Sequence, residues 1–91
     1  MSLHRYAAKR DANEPEIIEA LELAGCTVVQ ISIKGKPDLL VGFCGVNYWL
    51  EVKSETGKLT EDQFEFFETW NGHCAVVRTV QEALQAIGRV D

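Results

Sequence analysis

Three charged residues stand where this 91-residue chain is otherwise most apolar. Asp38 opens an almost wholly apolar run over residues 38–43, and Glu51 and Lys53 end an alternating run over residues 47–53. Side chains of a strand point to alternate faces. Tyr48, Leu50 and Val52 therefore share one face, and Trp49, Glu51 and Lys53 the other. Glu51 and Lys53 are then neighbours roughly 7 Å apart along the strand. The link 44–47 is short and holds a glycine, so the two runs are expected to pair as a hairpin. That pairing sets Asp38 at the end where Lys53 closes its partner. Two carboxylates and one ammonium converge there, and a sheet that only needed a core would not carry them.

Such a group suits a hard divalent cation. Mg²⁺ takes oxygen ligands, often one or two carboxylates completed by water and substrate phosphate. Near a phosphodiester it lowers the pKa of a bound water and stabilises the charge that develops on hydrolysis. Lys53 would hold the attacking water or the phosphate oxygens. The bland alternative is an exposed Glu51–Lys53 pair on an edge strand with an unrelated Asp38. Glu-x-Lys alone is a weak signal. Pro-Asp, an apolar run, a hairpin and then Glu-x-Lys is far more specific.

Two further residues bear on this site. Glu14 lies three, four and seven residues before Ile17, Ile18 and Leu21, so it continues the apolar face of the first helix toward the sheet. The alternative is that it only complements the positive helix N-terminus. Gln63 is the fourth member of Thr60-Glu61-Asp62-Gln63, where it either closes a capping box or reaches the site.

The elements that must position these groups read as follows. A first helix spans about residues 14–24, with Asn13 as N-cap, Pro15 in the first turn and Gly25 past its end. Three β-like runs cover residues 27–33, 38–43 and 47–53, with residues 34–37 turning the first into the second. A second helix starts at Thr60, carries Phe64, Phe67 and Trp70 as expected core residues, and stops at Asn71-Gly72. Phe66 falls off that stripe. A strand over residues 73–78 and a last helix from Thr79 to Gly88 complete the order αβββαβα. A strand, a helix and a strand in succession imply a right-handed crossover onto the same sheet. The fold class is thus α/β, a small mixed sheet flanked by helices.

Length bounds the chain to one domain of modest core, expected over residues 13–91 behind a basic N-terminal arm at 1–12. No apolar run reaches the roughly 18 residues of a membrane span, and the first residues have no apolar segment of a secretory signal. Cys26, Cys44 and Cys74 are an odd set without a CxxC pair. Buried, reduced thiols are expected. The formal charge of −5 speaks against a simple nucleic-acid binder, but its distribution matters more than its sum. Besides Glu14, seven acidic residues fall on the first two helices. Lys34, Lys36 and Lys58 flank the candidate site, and Arg5, Lys9 and Arg10 make the basic arm. These six are the candidate phosphate contacts, with Arg78 a seventh.

Pro37-Asp38 followed by Glu51-Val52-Lys53 resembles the catalytic motif of the PD-(D/E)xK nuclease superfamily. Gly35-Lys36-Pro37-Asp38-Leu39-Leu40 and Gly57-Lys58-Leu59-Thr60-Glu61-Asp62-Gln63 narrow the resemblance to the virus-type replication-repair nuclease (VRR-NUC) family, related to Holliday junction resolvases. It runs from Glu14 to about Ala86 and includes the restriction-endonuclease-like αβββαβ core. The resemblance implies that Asp38 and Glu51 ligate Mg²⁺ or Mn²⁺ with the Val52 carbonyl nearby. It makes Lys53 the catalytic lysine, Glu14 the helix-one acid at the metal and Gln63 the family glutamine. It also implies a phage-like protein of the bacterial or phage-infected cytoplasm, a homodimer or higher homo-oligomer, acting on branched DNA. The chain departs from a strong monomeric DNA binder in its acidity and small size, which favours an oligomer.

The reading is a metal-dependent DNA endonuclease with Asp38, Glu51, Lys53, Glu14 and Gln63 as its catalytic set. The rival is a non-catalytic nucleic-acid-binding or assembly module on the same fold. A pure protein scaffold is the third reading. It leaves a cluster of carboxylates facing a sheet with nothing to neutralise it, which is costly.

Overall fold

A computed structural model of the chain describes residues 10–89. Helix α1 spans Glu14–Leu23 and buries Ile17 and Leu21 completely. Pro15 sits in its first turn, where a missing N–H costs nothing. Asn13 does not cap it: its side chain makes no capping hydrogen bond and is spent on two distant carbonyls described below. The other end is a Schellman stop. Gly25 adopts φ +102°, the Gly25 N–H donates to the Glu22 carbonyl at 3.0 Å, and the Cys26 N–H donates to Leu21 at 3.0 Å.

The chain then builds one four-stranded sheet in the order β1-β2-β3-β4, from Thr27–Gln30, Leu39–Phe43, Val46–Val52 and His73–Val77. β1 pairs antiparallel with β2 and β2 with β3, while β3 and β4 are parallel across the intervening helix, as a strand–helix–strand crossover requires. The β2–β3 hairpin is tighter than its sequence suggests. Phe43 faces Val46, and the turn is Cys44-Gly45 alone, both at positive φ. Two such residues match the strand twist as a type I′ turn does. The turn leaves Cys44 exposed, unlike the buried Cys26; all three cysteines are free thiols.

The core lies on one face of the sheet. Leu39, Val41, Leu50, Val52 and Val77 point into it, and α1 with α3 (Val80–Ala86) covers it through Ile17, Leu21 and Ala83, with Ile87 just past α3. Thr79 caps α3 by accepting from the Glu82 N–H.

Helix α2, Glu61–Thr69, lies over the opposite face and buries no residue fully. This overturns the expectation that Phe64, Phe67 and Trp70 are core: Phe64 is 57% and Trp70 43% exposed. The physical reason is rotational phase. A capping box holds Thr60 and Gln63 together, and Gln63 points at the sheet, as its bond to Glu51 shows. Helical spacing then brings Phe66, Phe67 and Trp70 round behind Gln63 and swings Phe64 away. Phe66 packs edge-on against Trp49 and stacks on Trp70, so the residue that looked out of place supplies the contact.

Candidate active site

The site is built where β2 and β3 run out. Leu39 faces Leu50, so one step further along the ladder sets Asp38 beside Glu51, on the face away from the core. Pro37 is buried and fixes the chain just before Asp38. The Val52 N–H donates to Asp38 Oδ2 at 2.9 Å, which ties the carboxylate to the neighbouring strand. Glu51 is 2% exposed. Its Oε2 lies 3.2 Å from the Lys53 ammonium and accepts from Gln63 Nε2 at 3.1 Å. Gln63 spends its other end on the cap, where its Oε1 accepts from the Thr60 N–H at 3.0 Å. The two roles left open for Gln63 are thus both filled, one by each end of the amide.

Electrostatics follow from this packing. Burial raises the Glu51 carboxyl from an ordinary 4.5 to about 7, the charge of Asp38 pushes in the same direction, and Lys53 opposes both. Asp38 is also held above its usual range, first by burial, with the Val52 N–H working against the rise and the charge of Glu14 adding to it. Two carboxylates at the end of a sheet share too little positive charge.

Glu14 is buried, at 2% exposure, as its place on the apolar stripe implied. It does not present a free carboxylate to Asp38 and Glu51. Arg10 Nε donates to Glu14 Oε1 at 2.9 Å and Arg10 Nη2 to Oε2 at 3.0 Å, and Gln30 Nε2 adds a bond at 3.3 Å. Arg10, counted in the sequence with the basic arm, is turned inward by the same contacts. It also reaches the carbonyls of Ile31 and Asp38 and the Ser32 hydroxyl. Arg5 and Lys9 lie outside the described residues.

A cleft of about 270 Å³ opens beside Asp38 and Gln63, lined also by Arg10, Lys34 and Lys36. Both lysines are exposed, and the Lys36 ammonium stands 5.6 Å from the Phe66 ring centroid. Lys58 is exposed but does not line this cleft. Glu61 and Asp62 do line it. Arg78 is occupied elsewhere: its guanidinium donates to the carbonyls of Ser54 and Gly57 and holds the β3–α2 loop.

Sequence reasoning missed one positioning residue. Asn13 Nδ2 donates to the Lys53 carbonyl at 3.1 Å and the Arg78 carbonyl at 3.0 Å, pinning the ends of β3 and β4 that carry the site. Nothing in the sequence separates this Asn from an ordinary cap. The Arg10–Glu14 pair carried no helical signal either, since Arg10 precedes the first residue of α1.

The donor set fits a hard divalent cation. Glu51 Oε1 is buried without a hydrogen-bond partner, and a buried lone pair with no donor is costly unless a cation meets it. Among the described residues no three His, Cys, Asp or Glu side chains gather as a metal cage. Two carboxylates completed by water and substrate oxygens is the arrangement Mg²⁺ accepts.

No family model matches this sequence, and no curated protein sequence does. Among solved structures, one described as a VRR_NUC domain superposes with a TM-score of 0.69 at 25% identity, covering 89% of this chain and all of its own. That likeness covers nearly the whole chain and supports its membership of the VRR-NUC family.

Proposed function

We propose that this nuclease-family domain is a metal-dependent endonuclease that hydrolyses DNA phosphodiester bonds, selective for branched substrates such as junctions or flaps. The observation that carries the reading is the buried, unpartnered Glu51 Oε1 beside Asp38 and Lys53. Asp38 and Glu51 would hold Mg²⁺ or Mn²⁺, with the Val52 carbonyl as a further oxygen; the bound ion supplies an acidified water and neutralises phosphate charge. Lys53 brings an ammonium already held against Glu51, placed to steady the attacking water or the phosphate oxygens. Gln63 fixes the Glu51 carboxylate, and Glu14 acts through Arg10. Lys34, Lys36 and Lys58, with Arg5 and Lys9 of the arm, would neutralise phosphates on either side of the cut.

A net charge of −5 leaves little basic surface on one copy. A homodimer that shares one branched substrate answers this, and exposed Phe64 and Trp70 offer it apolar area. Such a protein would work in the cytoplasm of a bacterial or phage-infected cell. Glu61 and Asp62 at the cleft favour the second reading, a non-catalytic assembly or DNA-binding module.

The test is cleavage of a labelled four-way junction, a flap and a linear duplex with Mg²⁺, Mn²⁺ or EDTA, using wild type beside Lys53→Ala. Metal-dependent cutting lost in the variant is expected. Binding indifferent to metal, with no nicked product, would establish the second reading instead.

A further inference from the structure

Glu14 is the third carboxylate near the site, and its surroundings are those of a group already neutralised. Three N–H to oxygen contacts from one guanidinium fall between 2.9 and 3.1 Å, two from Nε and one from Nη2. This is the side-by-side fork with which arginine meets a carboxylate. Gln30 takes a further lone pair of Oε2. Glu51 is equally buried but keeps an oxygen without a partner, whereas both Glu14 oxygens are used. A guanidinium stays charged at any working pH. For Glu14 to ligate a cation it would have to release Arg10, and the ion would settle beside a fixed positive charge.

Arg10 does more than fill Glu14. Nη2 also donates to the carbonyls of Ile31 at 3.3 Å and Asp38 at 3.2 Å, and Nη1 to Ser32 Oγ at 3.1 Å. Those groups stand at the two ends of the loop between β1 and β2, where the Ile31 N–H already donates to the Asp38 carbonyl at 2.7 Å. The guanidinium thus grips the main chain of Asp38 from behind while its side chain faces the site. The hydrogen bonds it donates to Glu14 hold the Arg10 proton more firmly still.

Resting on the nuclease reading above, we propose that Arg10 withholds Glu14 from the metal, so that each chain takes one divalent cation on Asp38 and Glu51.

Mn²⁺ titration followed by electron paramagnetic resonance tests this without any turnover. The full chain should bind one Mn²⁺. Glu14→Gln should keep that stoichiometry and affinity, while Asp38→Asn should lose at least the roughly tenfold that even an outer partner of a ligand is worth. Arg10→Ala, which frees Glu14, should tighten Mn²⁺ binding or admit a second ion, and Arg10→Lys, which keeps a charge, should not. Circular dichroism on each variant confirms folding, and Glu14→Gln beside Asp38→Asn carries the comparison if Arg10→Ala unfolds. Two ions on the wild type, or a Glu14→Gln loss as large as that of Asp38→Asn, would overturn the proposal alone. No ion on the wild type would overturn the metal-dependent reading and this proposal with it.

Discussion

Replacing Glu51 with glutamine should stabilise the metal-free protein at alkaline pH. In the folded chain the Glu51 carboxyl titrates at about 7 instead of 4.5, because it is buried and faces Asp38. At about 1.4 kcal/mol per unit, ionising it costs the fold about 3 kcal/mol. Below pH 4.5 both the folded and the unfolded chain carry the proton, and Glu51 is neutral in its effect. Between 4.5 and about 7 only the folded chain keeps it, so stability falls as pH rises, and above 7 the full cost is present. Glutamine has the same shape, cannot ionise and still accepts from Gln63. The ion pair with Lys53 is already contained in that figure, since Lys53 holds the carboxyl down from a still higher value. The gain of about 3 kcal/mol corresponds to roughly 15 °C in a domain of this size. Urea unfolding in EDTA at pH 5, 6, 7 and 8 reads it directly. Wild type should weaken steadily across the series, and Glu51→Gln should show a shallower slope, the remainder coming from Asp38, which burial also holds high. Adding Mg²⁺ at pH 8 should restore the wild type and leave the variant unmoved, since only a state that binds the ion gains from it. A flat wild-type profile, or a variant less stable than wild type at pH 8, would refute the account of Glu51 as a carboxylate short of positive charge.

Other substitutions probe the supports. Gln63→Ala removes the donor to Glu51 and half the capping box, so we expect about 1 kcal/mol less stability by urea unfolding and a loss of cleavage that Gln63→Glu does not rescue. Asn13→Ala strips two carbonyls of their donor and should cost about 1–3 kcal/mol, far more than an uncapped helix end explains once a Ser at the same position fails to restore it. Phe64→Ser should change monomer stability by no more than about 0.5 kcal/mol, where a core phenylalanine would cost about 3–5 kcal/mol. The same variant run beside Trp70→Ser in sedimentation reports whether either exposed side chain holds two copies together.

Much of the architecture was legible because its signals are local. The element order followed from alternation, capping residues and turn glycines, and the hairpin brought Asp38, Glu51 and Lys53 to one end without any knowledge of the third dimension. Local signals failed where a long-range contact took over. Asn13 has the type and place of a helix cap, yet its amide serves Lys53 and Arg78, some forty and sixty-five residues away. Spacing alone gave α2 a stripe through Phe64, Phe67 and Trp70. Its true phase is set by the Gln63–Glu51 bond, which no periodicity reveals. Arg10 looked like part of a solvated basic arm because its partners Ile31, Ser32 and Asp38 come from a loop the sequence only marks as a turn.

The division of the sheet explains why a chain this small can carry such charges. One face is sealed by α1 and α3 around Leu39, Val41, Leu50 and Val77, and that face supplies the apolar burial the fold depends on. The strands that fill this core also deliver, at their ends and on the reverse face, the residues that burden it. Leu50 and Val52 point into the core and hold Glu51 between them. A strand pinned so firmly on one side cannot swing its carboxylate to water on the other. The uncompensated charge is therefore a consequence of good packing one residue away. It follows that loosening the core beside the site, as Leu50→Ala would, should weaken divalent-ion binding as well as stability. The carboxylate would then gain water and lose the strain that a cation relieves.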